Sequence, residues 1–302
     1  MKNLLTAVLL LFIVNHLAAQ QVPQVSQRMS DVASFNPAAY GAMNNNQIKL
    51  LHRSQWVGFE GAPKTQLLTF NTTPDAKNGI GLFAMNDVAG AIHRFSVGAG
   101  YSYSVGFSGF TLAFGTSGKL TQYYIDLSEE NPEHQDDSYL QMQELKINWV
   151  PDVSFGMMAY NRNFFAGLSA TQMVESRVHK ENKTGAEVFG LYHITSGYNW
   201  KINTSILLQP AVLLTFSREE PFQTEINLKA LIKKKFLTGI AYRSNDAAVV
   251  MIGMDINEKI FAAYSYDIVT SKIRTQNSGT HEIVLTFRLK NKTAYSSVNL
   301  LY

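Results

Sequence analysis

Histidine spacing is the first feature that would reveal a metal or proton-transfer site in this chain. Beyond residue 20 the histidines are His52, His93, His134, His179, His193 and His281. No two of them have the HxH or HxxxH spacing that places two imidazoles on one metal ion. Cysteine is absent, which removes thiolate ligands, disulfides and a cysteine nucleophile. The sequence therefore predicts no metal ion and no cofactor.

Serine and glycine patterns also lack a signature of catalysis. No GxSxG motif marks any serine as an activated nucleophile. The two GxG pairs, Gly79-Ile80-Gly81 and Gly98-Ala99-Gly100, do not open a predicted helix, so a phosphate cradle is not expected. Glycine at alternating strand positions more often relieves crowding or lets a sheet bend. We therefore predict that the protein is not an enzyme.

Charged residues form two local runs. The acidic run lies within 127–151 and contains Glu129, Glu130, Glu133, Asp136 and Asp137. We interpret it as a solvated surface loop, with a cation or partner site as the alternative. The basic run Lys233-Lys234-Lys235 is interpreted as a solvated turn, with a partner or lipid headgroups as the alternative. A net charge of +3 is too small to indicate a nucleic-acid partner.

The first 19 residues predict an export signal. Lys2 supplies a positive charge, and the apolar run from Leu4 to Val14 is broken only by Thr6. This run is shorter than the ~20 residues that span a bilayer as a helix. Small residues precede Gln20, so we predict signal-peptidase cleavage after Ala19, with a short membrane anchor as the alternative.

Alternation with a period of two is the dominant pattern after residue 45. From Phe95 to Val105, apolar and aromatic residues alternate with serine and glycine, and Ile226 and Leu228 alternate with polar and charged neighbours. Such alternation predicts strands with one apolar and one polar face. Several strands exceed the ~5–6 residues usual in globular sheets and reach the ~9–11 of a membrane strand. Charged residues make up 16% of the chain, below the ~25% of soluble domains.

About fourteen strands are predicted. They are 47–59, 65–74, 78–87, 92–105, 109–126, 152–160, 163–175, 187–199, 202–217, 221–231, 235–244, 247–256, 259–270 and 280–290. Short connections follow the even-numbered strands, whereas the long connections, 127–151, 176–186 and 271–279, all follow odd-numbered ones. This parity favours an all-β fold, a transmembrane antiparallel up-and-down β-barrel that starts in the periplasm and carries its long connections outside.

The predicted organisation has four parts. They are a signal peptide (1–19), an N-terminal segment (20–46), the outer-membrane β-barrel (47–290) and a C-terminal tail (291–302). The N-terminal segment either folds into the lumen as a plug or lies in the periplasm. Lipid of the outer membrane is the expected surrounding of the barrel wall.

Two N-terminal stretches resemble a known family. One is FNPAAYG, with Asn36, Pro37 and Gly41. The other is RSQWVGFEGAPKT, whose characteristic residues are Arg53, Gln55, Trp56, Gly58, Phe59, Gly61, Pro63 and Thr65. Together with the signal peptide they resemble the PorP/SprF family of Bacteroidetes outer-membrane proteins, which is associated with type IX secretion and gliding motility.

The resemblance implies a non-enzymatic role in type IX secretion. The protein would assist secretion or surface attachment of cargo such as adhesins. The implied partners are periplasmic lipoprotein and ring components and a secreted cargo with a C-terminal sorting domain. Residues of the two motifs are expected to be structural or to bind partners.

A charged network is predicted inside the barrel. If Trp56 faces lipid, Arg53 and Gln55 face the lumen, where Arg53 can pair with Glu225 or Glu282. The candidate members of this network are Arg53, Glu225, Lys229, Glu282 and Arg288. We favour a structural role for it over a transport site. The alternative function, a channel for hydrophobic small molecules, would instead require a contiguous apolar pocket in the lumen.

Overall fold

The computed structural model of the chain describes residues 23–42, 46–126, 144–174, 189–218, 221–271 and 277–289. Its strands are β1 (Gln47–Ser54), β2 (Lys64–Thr72), β3 (Asn78–Ala89), β4 (Ile92–Gly106), β5 (Thr111–Asp126), β6 (Glu144–Tyr160), β7 (Phe164–Thr171), β8 (Leu191–Tyr198), β9 (Trp200–Lys201), β10 (Ile206–Ser217), β11 (Gln223–Ile232), β12 (Phe236–Arg243), β13 (Ala247–Asp255), β14 (Ile260–Val269) and β15 (Thr280–Arg288). Two 3-10 turns, Arg28–Ser30 and Val32–Ser34, and one α-helical turn, α1 (Ala39–Ala42), precede them.

The strands close into a barrel. Consecutive strands pair antiparallel, except that β8 pairs with β10 rather than with β9, and β15 pairs with β1 to complete the sheet. In β11 the outward side chains of Ile226 and Leu228 are 57% and 42% exposed, while Asn227 between them and Glu225 and Lys229 on either side are buried. A wall that is apolar outside and polar inside is suited to lipid. The predicted fold, a transmembrane antiparallel β-barrel of 14 strands, is confirmed, with β9 as one extra short strand.

The extra strand β9 continues β8 beyond an interruption at Asn199. β10 pairs with β8 from Ala211 onward, and it pairs with β9 at residues 207–208. Pro210 lies between these two pairings, where β10 has no partner residue on that side, so its missing N–H costs no ladder bond there. The Gln209 side chain donates a hydrogen bond to Asn199 Oδ1 at 2.7 Å and bridges the interruption.

Two strands end well before the residues that the sequence predicts, and left-handed backbone is the reason. β1 ends at Ser54 rather than 59, because Trp56 has a φ of +48°. β7 ends at Thr171 rather than 175, because Gln172 has a φ of +61°.

β6 begins earlier than predicted. It starts at Glu144, so the prediction that 127–151 is a connection was wrong for the C-terminal part of that range. Pro151 lies within the strand, and the β5–β6 register shifts close to it, between Thr121 and Tyr123. Proline is tolerated at such irregularities because the regular ladder is already interrupted.

The two ends of the barrel differ. β1 begins and β15 ends at one end, the short-turn rim, which also carries 73–77, 107–110, 161–163, 233–235 and 256–259. The opposite end, the long-loop rim, carries the connections 55–63, 127–143, 172–190 and 270–279. Because bacterial barrels have short periplasmic turns, we expect the long-loop rim to face the cell surface.

Residues 23–42 form a lumenal segment inside the barrel. Val32, Phe35 and Ala38 are buried and share one apolar cluster with the inward Met158 and Phe165. The predicted signal peptide, the tail 291–302 and the acidic run within 127–151 lie outside the described residues. Among the described residues, no helix combines the length and apolar character needed to span a bilayer.

Candidate functional site

A buried carboxylate on β15 holds the start of the lumenal segment. Glu282 accepts hydrogen bonds from the backbone N–H groups of Ser26, at 2.7 Å, and Gln27, at 2.9 Å. Arg53 on β1 lies 3.5 Å from Glu282 and 3.1 Å from Asp267 on β14, and it also donates to the Ser26 hydroxyl. These ionic side chains are almost fully buried, so the segment and the charges satisfy each other.

A second buried arginine binds the same part of the segment. Arg243 pairs with Glu225 at 3.3 Å and with Asp246 at 2.6 Å. Its remaining N–H groups donate to Gln24 Oε1, at 2.9 Å, and to the carbonyl oxygen of Val25, at 3.2 Å. The guanidinium therefore joins two barrel carboxylates to the lumenal segment, using donors in the fixed geometry that arginine provides.

Two lysines hold the next turn of the segment. Lys229 Nζ donates to the carbonyl oxygen of Met29, at 3.0 Å, and to the Ser30 hydroxyl, at 3.2 Å. Lys49 Nζ donates to the carbonyl oxygen of Ser30, at 2.8 Å, and lies 3.7 Å from the Asp31 carboxylate. Carbonyl groups of a non-regular segment thus find partners on the barrel wall.

The second half of the segment is held by shape rather than charge. Inward glycines of the wall leave room for residues 36–41: Gly79, Gly81, Gly100, Gly115, Gly156 and Gly167. A Cβ atom added to Gly79 would lie 2.2 Å from the backbone of Gly41, and one added to Gly115 would lie 2.4 Å from Pro37. Both distances are far shorter than van der Waals contact, so the segment fits only if these wall positions are glycine.

Asn36 and Tyr40 fill the space above these glycines. The Asn36 side chain is fully buried and donates to the carbonyl oxygens of Met157 and Leu168, each at 3.3 Å. Its own Oδ1 accepts the Ala38 N–H at 3.1 Å, which shapes the turn before α1. Tyr40 is also buried, and its ring lies against Gly81 and Gly100.

The second family stretch forms a platform on the long-loop rim. Gln55 N–H donates to the carbonyl oxygen of Pro63 at 2.9 Å and closes the 55–63 connection. Val57 N–H donates to the Gly279 carbonyl at 2.9 Å, and Ser278 N–H donates back to the Val57 carbonyl at 2.7 Å. These bonds join the connection to the β14–β15 connection as a short antiparallel pair.

Gly61 lets the platform contact the β3–β4 turn on its other side. Gly61 has a φ of +69°, and its carbonyl accepts the Gly90 N–H from the β3–β4 turn at 2.8 Å. An added Cβ atom on Gly61 would lie 3.3 Å from Gly90 Cα. Gly58 has a φ of +94°, and the adjacent Val57 and Phe59 are exposed. The platform is therefore fixed on both sides and presents apolar side chains outward.

The remaining motif residues support the base of this platform. Trp56 N–H donates to Thr280 Oγ1 at 3.1 Å, and the Trp56 side chain is half-buried. Thr65 donates to Asp87 Oδ1 at 2.6 Å, and Asp87 in turn pairs with Arg94 at 2.8 Å. Motif residues on the first two strands thus bond to adjacent strands and connections.

Three of the candidate network residues belong to two arginine pairs, and Asp267 joins these pairs, since it lies 3.1 Å from Arg53 and 3.8 Å from Arg243. Arg53 is paired with Glu282, whereas Glu225 is paired with Arg243, a residue that the sequence reasoning missed. Arg288 lies at the short-turn rim, where it pairs with Asp255 at 2.7 Å, away from the others. Lys49, Asp267 and Asp246 were missed as well. Lys49 could have been found, because its spacing from Arg53 on β1 places both side chains on the inner face.

One cavity in the lumen has a lining of mixed character. This cavity of about 160 Å³ lies beside the lumenal segment. Its lining includes Arg28, Asp31, Phe35, Tyr40, Lys119 and His193. In the described part of the chain, no three His, Asp or Glu side chains are grouped to hold a metal ion.

A closed sheet with an apolar wall and an occupied, charged interior defines an outer-membrane β-barrel. The crystal structure of the Acinetobacter baumannii outer membrane protein Omp33 is similar, with 8% identity, a TM-score of 0.50, and coverage of 82% of this chain and 99% of that one. The Ralstonia pickettii toluene transporter TbuX is similar at 9% identity and TM-score 0.49, covering 88% and 94% of the two chains. The CymD monoaromatic hydrocarbon channel gives 9% identity and TM-score 0.49, covering 89% and 94%. At these identities the likeness concerns the fold.

The family follows from the sequence itself. Residues 17–287 match the family described as type IX secretion system membrane protein PorP/SprF, so the chain belongs to this family. No functionally curated protein matches the sequence. The protein is thus an outer-membrane member of a type IX secretion family, and neither the family description nor the similar barrels name an enzyme.

Proposed function

We propose that the barrel assists secretion or surface attachment of type IX cargo, such as adhesins, through its rims and not through an open lumen. The observation that carries this proposal is the lumenal segment. Residues 23–42 occupy the interior and are held by buried Arg53, Arg243 and Lys229. A protein substrate has no path through a lumen filled in this way.

The rim platform formed by 55–63 supports a docking role. Backbone hydrogen bonds fix it to both neighbouring connections, and Val57 and Phe59 stay exposed. Pre-organised loops with exposed aromatic and aliphatic side chains lose little entropy when a partner docks. On the long-loop rim the proposed partner is a cargo protein with a C-terminal sorting domain, and on the short-turn rim it is the periplasmic lipoprotein and ring components.

The alternative is a channel for hydrophobic small molecules. Ligand pockets usually enclose about 300–1,000 Å³, whereas the cavity beside the lumenal segment encloses about 160 Å³ and is lined by charged as well as aromatic side chains. Passage would require displacement of the lumenal segment. The charged lumen therefore favours the secretion role.

A deletion strain complemented with the wild-type gene tests both functions in parallel. We expect sorting-domain proteins and surface adhesins to be lost on deletion and restored on complementation, while uptake of an apolar aromatic tracer stays constant. The strain should also lack paralogues of the family, so that no copy substitutes for the deleted one. Unchanged secretion and display together with reduced tracer uptake would reject the proposed role in favour of the channel.

A further inference from the structure

Three polar side chains form a row on the membrane-facing wall. His52, Gln66 and Asn86 are register partners on β1, β2 and β3, and all three point outward. Asn86 Nδ2 donates to Gln66 Oε1 at 2.8 Å, and Gln66 Nε2 lies 3.5 Å from His52 Nδ1. Each amide nitrogen carries two hydrogens, and the hydrogen bonds within the row use one hydrogen of each nitrogen. Donors therefore remain available to a further partner.

The row lies close to the long-loop rim. His52 is two residues before the end of β1, and Gln66 is two residues after the start of β2. One outward position nearer the rim, Lys64 is exposed and Ser54 lies opposite it, with Ser54 Oγ 3.2 Å from His52 Nε2. The wall thus carries a positive charge at the rim and hydrogen-bonding side chains below it.

An apolar concavity of about 380 Å³ includes the row and extends from it away from the rim. Its lining includes Leu50, Leu68, Ala84, Phe95, Ile283 and Leu285. Ala84 is the smallest of these side chains and lies opposite Leu68 across the β2–β3 pair, which deepens the surface at that point. From rim to mid-membrane the wall therefore changes from cationic to polar to apolar.

This order matches one amphipathic molecule lying along the wall. Polar side chains on a lipid-facing surface are costly unless they are satisfied, because hydrocarbon offers no hydrogen bonds. A headgroup at the level of the row would satisfy them, and its acyl chain would fill the concavity. Lys64 favours a negative headgroup, since a basic residue near the membrane surface attracts anionic lipid.

We propose that the outer wall of β1–β3 and β15 is a binding site for an anionic lipid. Its phosphate contacts Lys64 and the polar row of His52, Gln66 and Asn86, and its acyl chain lies in the concavity beside Leu68 and Ile283. The site faces the leaflet next to the long-loop rim. It is independent of the lumen and of the proposed role in secretion.

Native mass spectrometry of the refolded mature protein tests the proposal. The protein is released from micelles containing equal amounts of phosphatidylglycerol and phosphatidylcholine, and retained lipids are counted. We expect wild type to retain phosphatidylglycerol preferentially, and Lys64→Gln to reduce that preference about fivefold, as loss of one basic residue near a membrane surface predicts. The triple variant His52→Leu, Gln66→Leu and Asn86→Leu should lose the preference.

Thr238→Leu is the matched control, because Thr238 is an outward, exposed polar residue on the distant strand β12. It should retain the wild-type preference. All these substitutions leave the lumen unchanged, and slow gel migration of unheated protein verifies that each barrel is closed. Equal retention of both lipids by wild type, or an unaltered preference in the triple variant, overturns the proposal. Recovery of wild type as a dimer that the triple variant does not form would show instead that a second barrel covers this surface.

Discussion

Gly79 on the barrel wall and Gly41 in the lumenal segment are in direct backbone contact. A Cβ atom added to Gly79 would lie 2.2 Å from Gly41 N and 2.5 Å from Gly41 Cα. A Cβ atom added to Gly41 would lie 2.9 Å from Ser102 Oγ. Two glycines on different elements therefore permit α1 to rest against β3 and β4, which accounts for the glycine that closes the first family stretch.

Gly79→Ala should destabilise the docked lumenal segment. The new methyl group meets backbone atoms, which cannot rotate away, and overpacking of this kind costs about 1–3 kcal/mol. The measurement is the free energy of unfolding in urea of the refolded protein. Gly118→Ala is the control, because Gly118 is an exposed strand glycine with nothing within 4 Å of an added Cβ. Equal stability of the two variants would contradict the tight contact.

Arg53→Met should be far more damaging than Arg288→Met. Removal of Arg53 leaves Glu282 and Asp267 buried without their cation, and breaking a buried pair costs about 3–5 kcal/mol. Arg288 and its partner Asp255 are 23% and 17% exposed, so water partly screens that pair and its loss should cost less. Urea unfolding of both variants compares the two losses. Similar losses would mean that the Arg53 network does not hold the segment.

Alternation in the sequence was sufficient to predict the wall of the barrel. It placed Glu225 and Lys229 on the inner face and Ile226 and Leu228 on the outer one, because a strand side chain has only two directions. Strand ends were less predictable where a single backbone angle decides them. Trp56 ends β1 through a positive φ that a tryptophan gives no reason to expect.

The partners inside the lumen could not be predicted in the same way. Arg53 was expected to reach Glu225 or Glu282, and only the closure of β15 on β1 brings Glu282 opposite it. Arg243 and Asp267 lie on strands remote in sequence from β1, so their contacts depend on the shape of the whole barrel. Parity likewise puts Gly79 on the inner face, but it does not reveal that a segment docks there.

Gly61→Ala tests whether the rim platform acts in cargo attachment. Alanine at a positive φ costs about 1–2 kcal/mol, and the methyl group would also press on Gly90. Gly109→Ala carries a comparable backbone penalty, with a φ of +93°, but it lies on the short-turn rim with nothing nearby. We expect surface display of adhesin, measured with antibody on intact cells, to fall in Gly61→Ala only. Equal display of adhesin in both variants would show that the platform does not act in cargo attachment.

The lumenal segment runs the length of the barrel, and this gives a test of orientation. Gly41 lies against Gly79 near the short-turn rim, whereas Gln24 contacts Arg243 and Gln223 at strand ends next to the long-loop rim. The start of the described lumenal segment should therefore lie at the cell-surface mouth. The chain has no cysteine, so a single Gln24→Cys variant reports its own accessibility to a membrane-impermeant maleimide.

We expect Gln24→Cys to be labelled on intact cells, because its barrel contacts lie at the outer mouth. Asp75→Cys is the counterpart, since Asp75 is exposed in the β2–β3 turn on the opposite rim, and it should be labelled only after the outer membrane is permeabilised. Labelling in the reverse order would place the short-turn rim outside. It would also move the exposed platform of 55–63 to the periplasmic side, where the platform would meet secretion components before it could meet displayed cargo.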